Sequence, residues 1–174
     1  MKTRTKNIGV VILIIAVVVA GIFYIYHEIN VASTNKMRLE SIVGQSLTKS
    51  REQLEKISKL QELNNSNIQL IQNELTGIQV HYSVIDKAVG VSLLAPISDE
   101  LKTKFEDISS IYQGSQQLSE EGIKEFNDYK NKLVDLSSII NETYYESSQN
   151  HPEGGGVNLN ITDYQELAKF RQNF

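Results

Sequence analysis

The chain has 174 residues, a net charge of −4, no Cys, no Trp and two Pro. The lack of cysteine excludes disulfides, thiolate metal sites and cysteine nucleophiles together. The acidic balance argues against nucleic acid and against adhesion to anionic lipid head groups.

Residues 1–7 form a short basic tail with Lys2, Arg4 and Lys6. Ile8 to Tyr26 follows with no charged residue. At about 1.5 Å rise per residue this run spans roughly 28 Å, close to the hydrocarbon core of a bilayer. An unbroken apolar run of that length is rare in the core of a water-soluble domain, so a transmembrane helix over residues 8–26 is expected. The basic residues before it place the N-terminus in the cytoplasm and residues 27–174 outside, by the positive-inside rule. A cleaved signal peptide is the rival reading, since Val18-Val19-Ala20 has small residues where a peptidase reads them. The apolar run continues through Gly21 to Ile25 without a polar break, which favours an uncleaved signal anchor in the plasma membrane. The outer part carries 14 Lys and Arg against 21 Asp and Glu, a net of −7.

From Val43 to Val89 the apolar spacing alternates four and three. The seam is Val43, Leu47, Ser50, Leu54, Ile57, Gln61, Asn64, Ile68, Ile71, Leu75, Ile78, Tyr82, Ile85 and Val89. This is a heptad pattern and predicts a helix from about Val31 to Lys87, weakened at Asn64–Asn67. Residues 88–97 break the pattern, punctuated by Gly90 and Pro96. Ser98, followed by Asp99 and Glu100, has the form of an N-cap.

A second seam runs through Leu101, Phe105, Ile108, Tyr112, Ser115, Ser119, Gly122, Phe126, Tyr129, Leu133, Leu136 and Ile140. It predicts a helix from Asp99 to about Ser148, interrupted around Ser119–Gly122. The fold class expected is all-α: a long antiparallel helical hairpin or coiled coil over residues 27–149. The alternative bends both arms at their polar midpoints into a compact four-helix bundle. Neither midpoint contains Pro and the heptad phase crosses both, which favours the hairpin, with arms of roughly 75 Å.

Residues 150–161 read as a Gly-rich linker. Residues 162–174 read as a short amphipathic helix opened by a capping box at Thr162–Gln165. The returning second arm brings this segment back to the membrane-proximal end. There Tyr164, Leu167, Phe170 and Phe174 either dip into the interface or cap the base of the helices.

Candidate chemistry is sparse. His27, His81 and His151 have no metal-ligand spacing. Glu106-Asp107 and Glu120-Glu121 are adjacent on a helix and point about 100° apart, so neither pair converges on one site. No Ser sits in a nucleophile motif, and Gly154–Gly156 is not followed by the Lys-Ser/Thr of a phosphate loop. Asn64, Asn141 and Asn160 open glycosylation-type triplets, at about the frequency chance supplies in so polar a chain. The apolar cluster Val89, Val91, Leu93 and Leu94 at the reversal is either a local cap or a partner contact.

The residues therefore predict no catalytic, cofactor-binding or metal site and no enzyme activity. They point to a membrane-anchored protein–protein interaction or scaffold module. The alternative is a sensor-like ligand-binding bundle with the polar midpoint as its pocket. The partners expected are the bilayer, through residues 8–26, and a protein or a second copy, through the helical region, with no nucleic acid.

Overall fold

The computed structural model describes residues 2–115, 117–145 and 156–174, with side chains from Val17 onward. Five helices account for most of them: α1 (Lys2–Ser58), α2 (Asn65–Val89), α3 (Leu94–Ser115), α4 (Glu120–Tyr144) and α5 (Gln165–Gln172). Among the described residues there is no strand. A single antiparallel bridge joins Tyr145 and Val157. The chain divides into two compact units, residues 1–38 and residues 39–174.

The first unit is helical from Lys2 onward. Its large apolar side chains from Val17 to Ile29 lie open, Phe23 71% and Ile22 62% exposed. The helix is long and apolar enough to cross a membrane.

The second unit is an all-α bundle. Residues 39–58 of α1 run antiparallel to α2, with Lys56 paired to Glu74 and the Gln53 amide lying against Gly77, where a Cβ would stand in its way. Gln79 Nε2 donates to Asp99 Oδ1 at 2.8 Å between α2 and α3. Tyr129 Oη donates to the Leu101 carbonyl at 3.2 Å between α4 and α3. Lys130 Nζ on α4 donates to the Leu60 carbonyl at 2.7 Å, at the turn after α1. Each neighbouring pair is antiparallel, so the four helices run up, down, up and down.

The heptad positions form the core. Leu54, Ile57, Ile71, Ile78, Leu101, Phe105, Leu133 and Leu136 are all 1% exposed or less. Ser50 is buried among them and satisfies its hydroxyl by donating to the Leu47 carbonyl one turn back, at 3.0 Å. An amphipathic helix is held chiefly by burying such a face, at about 1.5–3 kcal/mol per large apolar side chain.

The reversal expected near residue 90 is present, but neither arm is continuous. α1 ends at Ser58 and α2 begins at Asn65; α3 ends at Ser115 and α4 begins at Glu120. The helices restart at side-chain caps rather than stopping at prolines. Asn64 Oδ1 accepts from Asn67 N at 2.9 Å, and Asn67 Nδ2 donates to the Glu62 carbonyl at 2.8 Å. Ser119 Oγ accepts from Gly122 N at 3.2 Å, with Glu120 and Glu121 in the first turn favoured by the helix dipole. Absence of Pro therefore did not keep the arms straight: a helix start needs only an oxygen aimed at its free N–H groups.

Two caps differ from expectation. Ser98 is not an N-cap. α3 begins four residues earlier, and the buried Ser98 hydroxyl donates to the Ala95 carbonyl at 2.6 Å. Pro96 lies in the first turn, where its missing N–H costs no bond. The cap of α3 is Asp86, reaching across the turn from α2: its carboxylate accepts from Leu94 N at 3.0 and 3.1 Å and from Ala95 N at 2.8 Å. Gly90 permits this tight turn, at φ 75° with its N–H bonded to the Asp86 carbonyl. The capping box at Thr162–Gln165 does not form either. Tyr164 takes the N-cap position without a side-chain bond, and Asp163 Oδ1 accepts from Gln165 N at 3.3 Å.

Candidate functional site

Folding at the two polar breaks sorts the surface into two ends. One end holds the start of residues 39–58, the α2–α3 turn and the end of α4. The other holds the α1–α2 and α3–α4 turns.

The first end carries an open groove of about 680 Å³. Glu40, Gly44, Gln45 and Lys49 of α1 form one wall, and His81, Tyr145 and Val157 complete it. Val157 reaches it because residues 156–161 are not a free tether. Val157 is buried against Gly44, its Cγ2 standing 3.3 Å from where a Cβ would be, and Asn158 N donates to the Tyr144 carbonyl at 2.8 Å. Partial burial, and secondarily the Lys49 charge, hold the His81 imidazole below its ordinary pKa. The groove thus offers a cation, a largely neutral imidazole and amide groups on an apolar floor.

Behind this groove the core contains three polar side chains, Tyr82, Asp86 and Tyr144, of which the spacing marked only Tyr82. Both tyrosines are fully buried, and their hydroxyls find no hydrogen-bond partner among the described residues. Burial pushes both phenols far up, Tyr144 adding to Tyr82 and Asp86 adding to Tyr144. They stay protonated and neutral at any physiological pH. Asp86 is 7% exposed, and its oxygens are taken by the α3 backbone, which assigns it to capping. Tyr82 was readable as a seam position; Asp86 carried no sequence signal, because its target lies eight residues on across a turn.

The second end carries a shallow cleft of about 410 Å³ lined by Leu63, Tyr112, Leu118, Ile123 and Phe126, with Gln61, Glu62, Asn64, Gln117 and Asn127 at its edge. The polar midpoints expected to form an internal pocket are here, at the outside of the turns.

Other candidates sort as follows. Leu94 is buried, Val89 and Leu93 pack partly against the core, and Val91 is 38% exposed, so the cluster at the reversal is a cap. Glu106, Asp107, Glu120 and Glu121 are exposed. His27 lies in the first unit, and His151 with Gly154 and Gly155 falls outside the described residues. Among the described residues no three His, Cys, Asp or Glu side chains are grouped to hold a metal ion.

The C-terminal helix turns its apolar stripe inward. Leu167 is 1% exposed, and Phe170 and Phe174 pack against the core. The Phe174 ring meets Tyr129 edge-on at 6.2 Å. Arg171 Nε donates to Glu100 at 2.8 Å, and Lys132 Nζ donates to the Asn173 carbonyl at 2.8 Å. With Leu167, Phe170 and Phe174 spent on the bundle, only Tyr164 of the stripe is well exposed, at 50%. No family model, curated protein or solved structure matches the chain.

Proposed function

We propose that the chain is a single-pass, membrane-anchored protein whose extracytoplasmic helical bundle is a non-catalytic protein–protein interaction or scaffold module. The observation that carries the reading is the pairing of an uncharged run, Ile8 to Tyr26, with open side chains along its described part. Apolar side chains left open over that length are favoured in lipid and disfavoured in water. Lys2, Arg4 and Lys6 support a cytoplasmic N-terminus. The bundle supports the interaction reading by its make-up: its described interior is spent on packing, and its acidic groups other than Asp86 lie toward its surface. Protease added to intact cells is expected to remove a C-terminal tag and spare an N-terminal one; the reverse pattern overturns the topology. Light scattering coupled to size exclusion on the detergent-solubilised chain tests self-association.

The groove beside His81 and Lys49 favours a second reading, a bundle that binds a small polar ligand. A small polar compound that raises the melting temperature of the full chain but not of its His81→Ala, Lys49→Ala variant would support that reading.

A further inference from the structure

The C-terminal helix is held as a ligand is held, by side chains seated in a cleft that α3 and α4 build between themselves. We infer that α5 is an exchangeable element: the cleft takes the α5 of a second copy, and two bundles are joined by reciprocal exchange of residues 159–174. The inference rests on the interaction reading above and names its surface and its partner. The floor of the cleft is tied without α5. Tyr129 Oη donates to the Leu101 carbonyl at 3.2 Å, and the Phe105 and Tyr129 rings lie 5.9 Å apart. Into this cleft α5 sets an apolar stripe at i, i+3 and i+7, namely Leu167, Phe170 and Phe174, with Leu167 1% exposed. Two polar clamps close the sides. Arg171 Nε meets Glu100 at 2.8 Å, and Lys132 Nζ meets the Asn173 carbonyl at 2.8 Å while standing 4.8 Å over the Phe174 ring.

This pattern specifies the occupant. A segment that fills the cleft needs apolar side chains at that spacing and a cation set to meet Glu100, and every copy of the chain carries one. Exchange keeps each of these contacts, which is why swapping an identical element is a low-cost route to a dimer. The point of departure is well placed. Asn158 N donates to the Tyr144 carbonyl at 2.8 Å, and among the described residues it is the last backbone group before α5 to bond another element. Beyond it, Leu159 and Ile161 rest on the core through partly buried side chains alone. Residues 159–164 carry no helix. Extended, they span roughly 20 Å, against about 10–12 Å for the diameter of a helix. Tyr164, at the N-cap position of α5, makes no side-chain bond, and eight residues are too few for a helix to persist alone, so α5 is ordered by whichever cleft it enters. Anchoring in one bilayer keeps two copies side by side and raises the effective concentration of one copy's α5 at the other's cleft.

The chain has no cysteine, so cross-linking between introduced thiols reads the exchange. Two full-length chains with different tags, one Glu100→Cys and the other Arg171→Cys, are co-expressed in membranes and treated with a bifunctional maleimide. Each chain carries one thiol and cannot link to itself. The expected result is a covalent dimer that carries both tags. Its yield should fall at least about tenfold when Leu167→Glu is added to the Arg171→Cys chain, because a charge would then have to enter the apolar cleft. The yield should fall as far when Lys59→Cys, exposed at the opposite end of the bundle, replaces Arg171→Cys, a comparison that holds even if Leu167→Glu does not fold. Two-tag dimers that survive these changes are collisions and overturn the inference. Dimers by light scattering without the two-tag cross-link overturn it and leave the interaction reading intact. Monomers without the cross-link overturn it together with self-association, and leave only a different protein as the partner.

Discussion

Asp86 is expected to be the most consequential polar side chain in the bundle. It sits on the last turn of α2, 7% exposed, and its carboxylate receives Leu94 N and Ala95 N at 2.8–3.1 Å. Replacing it with Ala leaves two backbone donors facing a cavity, one of them on the fully buried Leu94. An unpaired buried donor costs about 1–3 kcal/mol. Loss of a negative charge at a helix N-terminus costs about 0.3–1 kcal/mol more. The sum is about 1.3–4 kcal/mol, a sizeable share of the roughly 5–15 kcal/mol that stabilises a domain. Asp86→Asn keeps one acceptor oxygen and brings an NH₂ against the backbone donors, so about half that loss is expected. Urea unfolding of the full chain in mild detergent, followed by the near-ultraviolet tyrosine signal, reads the change, because five of the tyrosines in residues 39–174 lie on or beside the core helices. In thermal scans the Ala variant should melt about 5–15 °C lower. Asp128→Ala, exposed on α4, serves as the control and should stay within about 0.5 kcal/mol. If Asp86→Ala also stayed within that margin, the cap would not be what holds the α2–α3 turn, and the account of the reversal would be wrong.

Ile71→Asp and Leu133→Asp, both at positions with no exposure, should each cost several kcal/mol by burying an unpaired charge, and neutral behaviour at both would show that the seam is misassigned. Tyr82→Phe removes a buried hydroxyl that has no partner among the described residues, so stability should hold or rise by up to about 1 kcal/mol in the same urea assay; a loss of that size would reveal a hydrogen bond at the hydroxyl. Lys130→Ala should cost about 2 kcal/mol by freeing the Leu60 carbonyl and the Phe126 ring face, and hydrogen exchange should quicken at residues 59–64 before the rest of the bundle. His81 should titrate below 6.5 by NMR, and Lys49→Ala should raise its midpoint. Because the folded value is the lower one, the unfolded chain binds the extra proton first. The His81 contribution therefore favours folding above pH 6.5 and is lost as pH falls through the folded value; a midpoint at or above 6.5 contradicts this.

The core was legible in the sequence because burial on a helix has a period. Nearly every apolar member of the two seams is buried, and the polar members other than the buried Ser50 mark where the helices stop: Gln61 and Ser115 are exposed, while Asn64 and Ser119 turn their oxygens to capping. What was illegible depends on geometry that spacing does not carry. Asp86 acts on residues eight and nine positions away, across a turn whose existence the pattern shows but whose closeness it does not. Val157 becomes structural only because Gly44 leaves room for it on another helix. The inward face of α5 follows from the groove that α3 and α4 offer. Eight residues have too little intrinsic stability to fix their own surroundings.

The choice between straight and folded arms shows why an unbroken heptad phase is a weak guide to shape. Ile57 and Ile68 bracket the first break at a separation of eleven residues, and eleven is itself a sum of fours and threes. A turn of this length therefore returns the chain to the same phase it left, and the period cannot report the reversal. The local chemistry can: Asn64 with Asn67, and Ser119 with two following acids, are helix starts in their own right. Reading them so shortens the helices beyond residue 39 to at most 25 residues, or about 38 Å, half the reach of straight arms. It also moves the polar midpoints of the arms to one end of the bundle, and folds the Gly90 turn back beside the start of the second unit. The surface offered at the far end is consequently made of the two breaks themselves, Leu63 with Leu118 and Ile123, with Gln61, Glu62, Asn64, Gln117 and Asn127 at its edge.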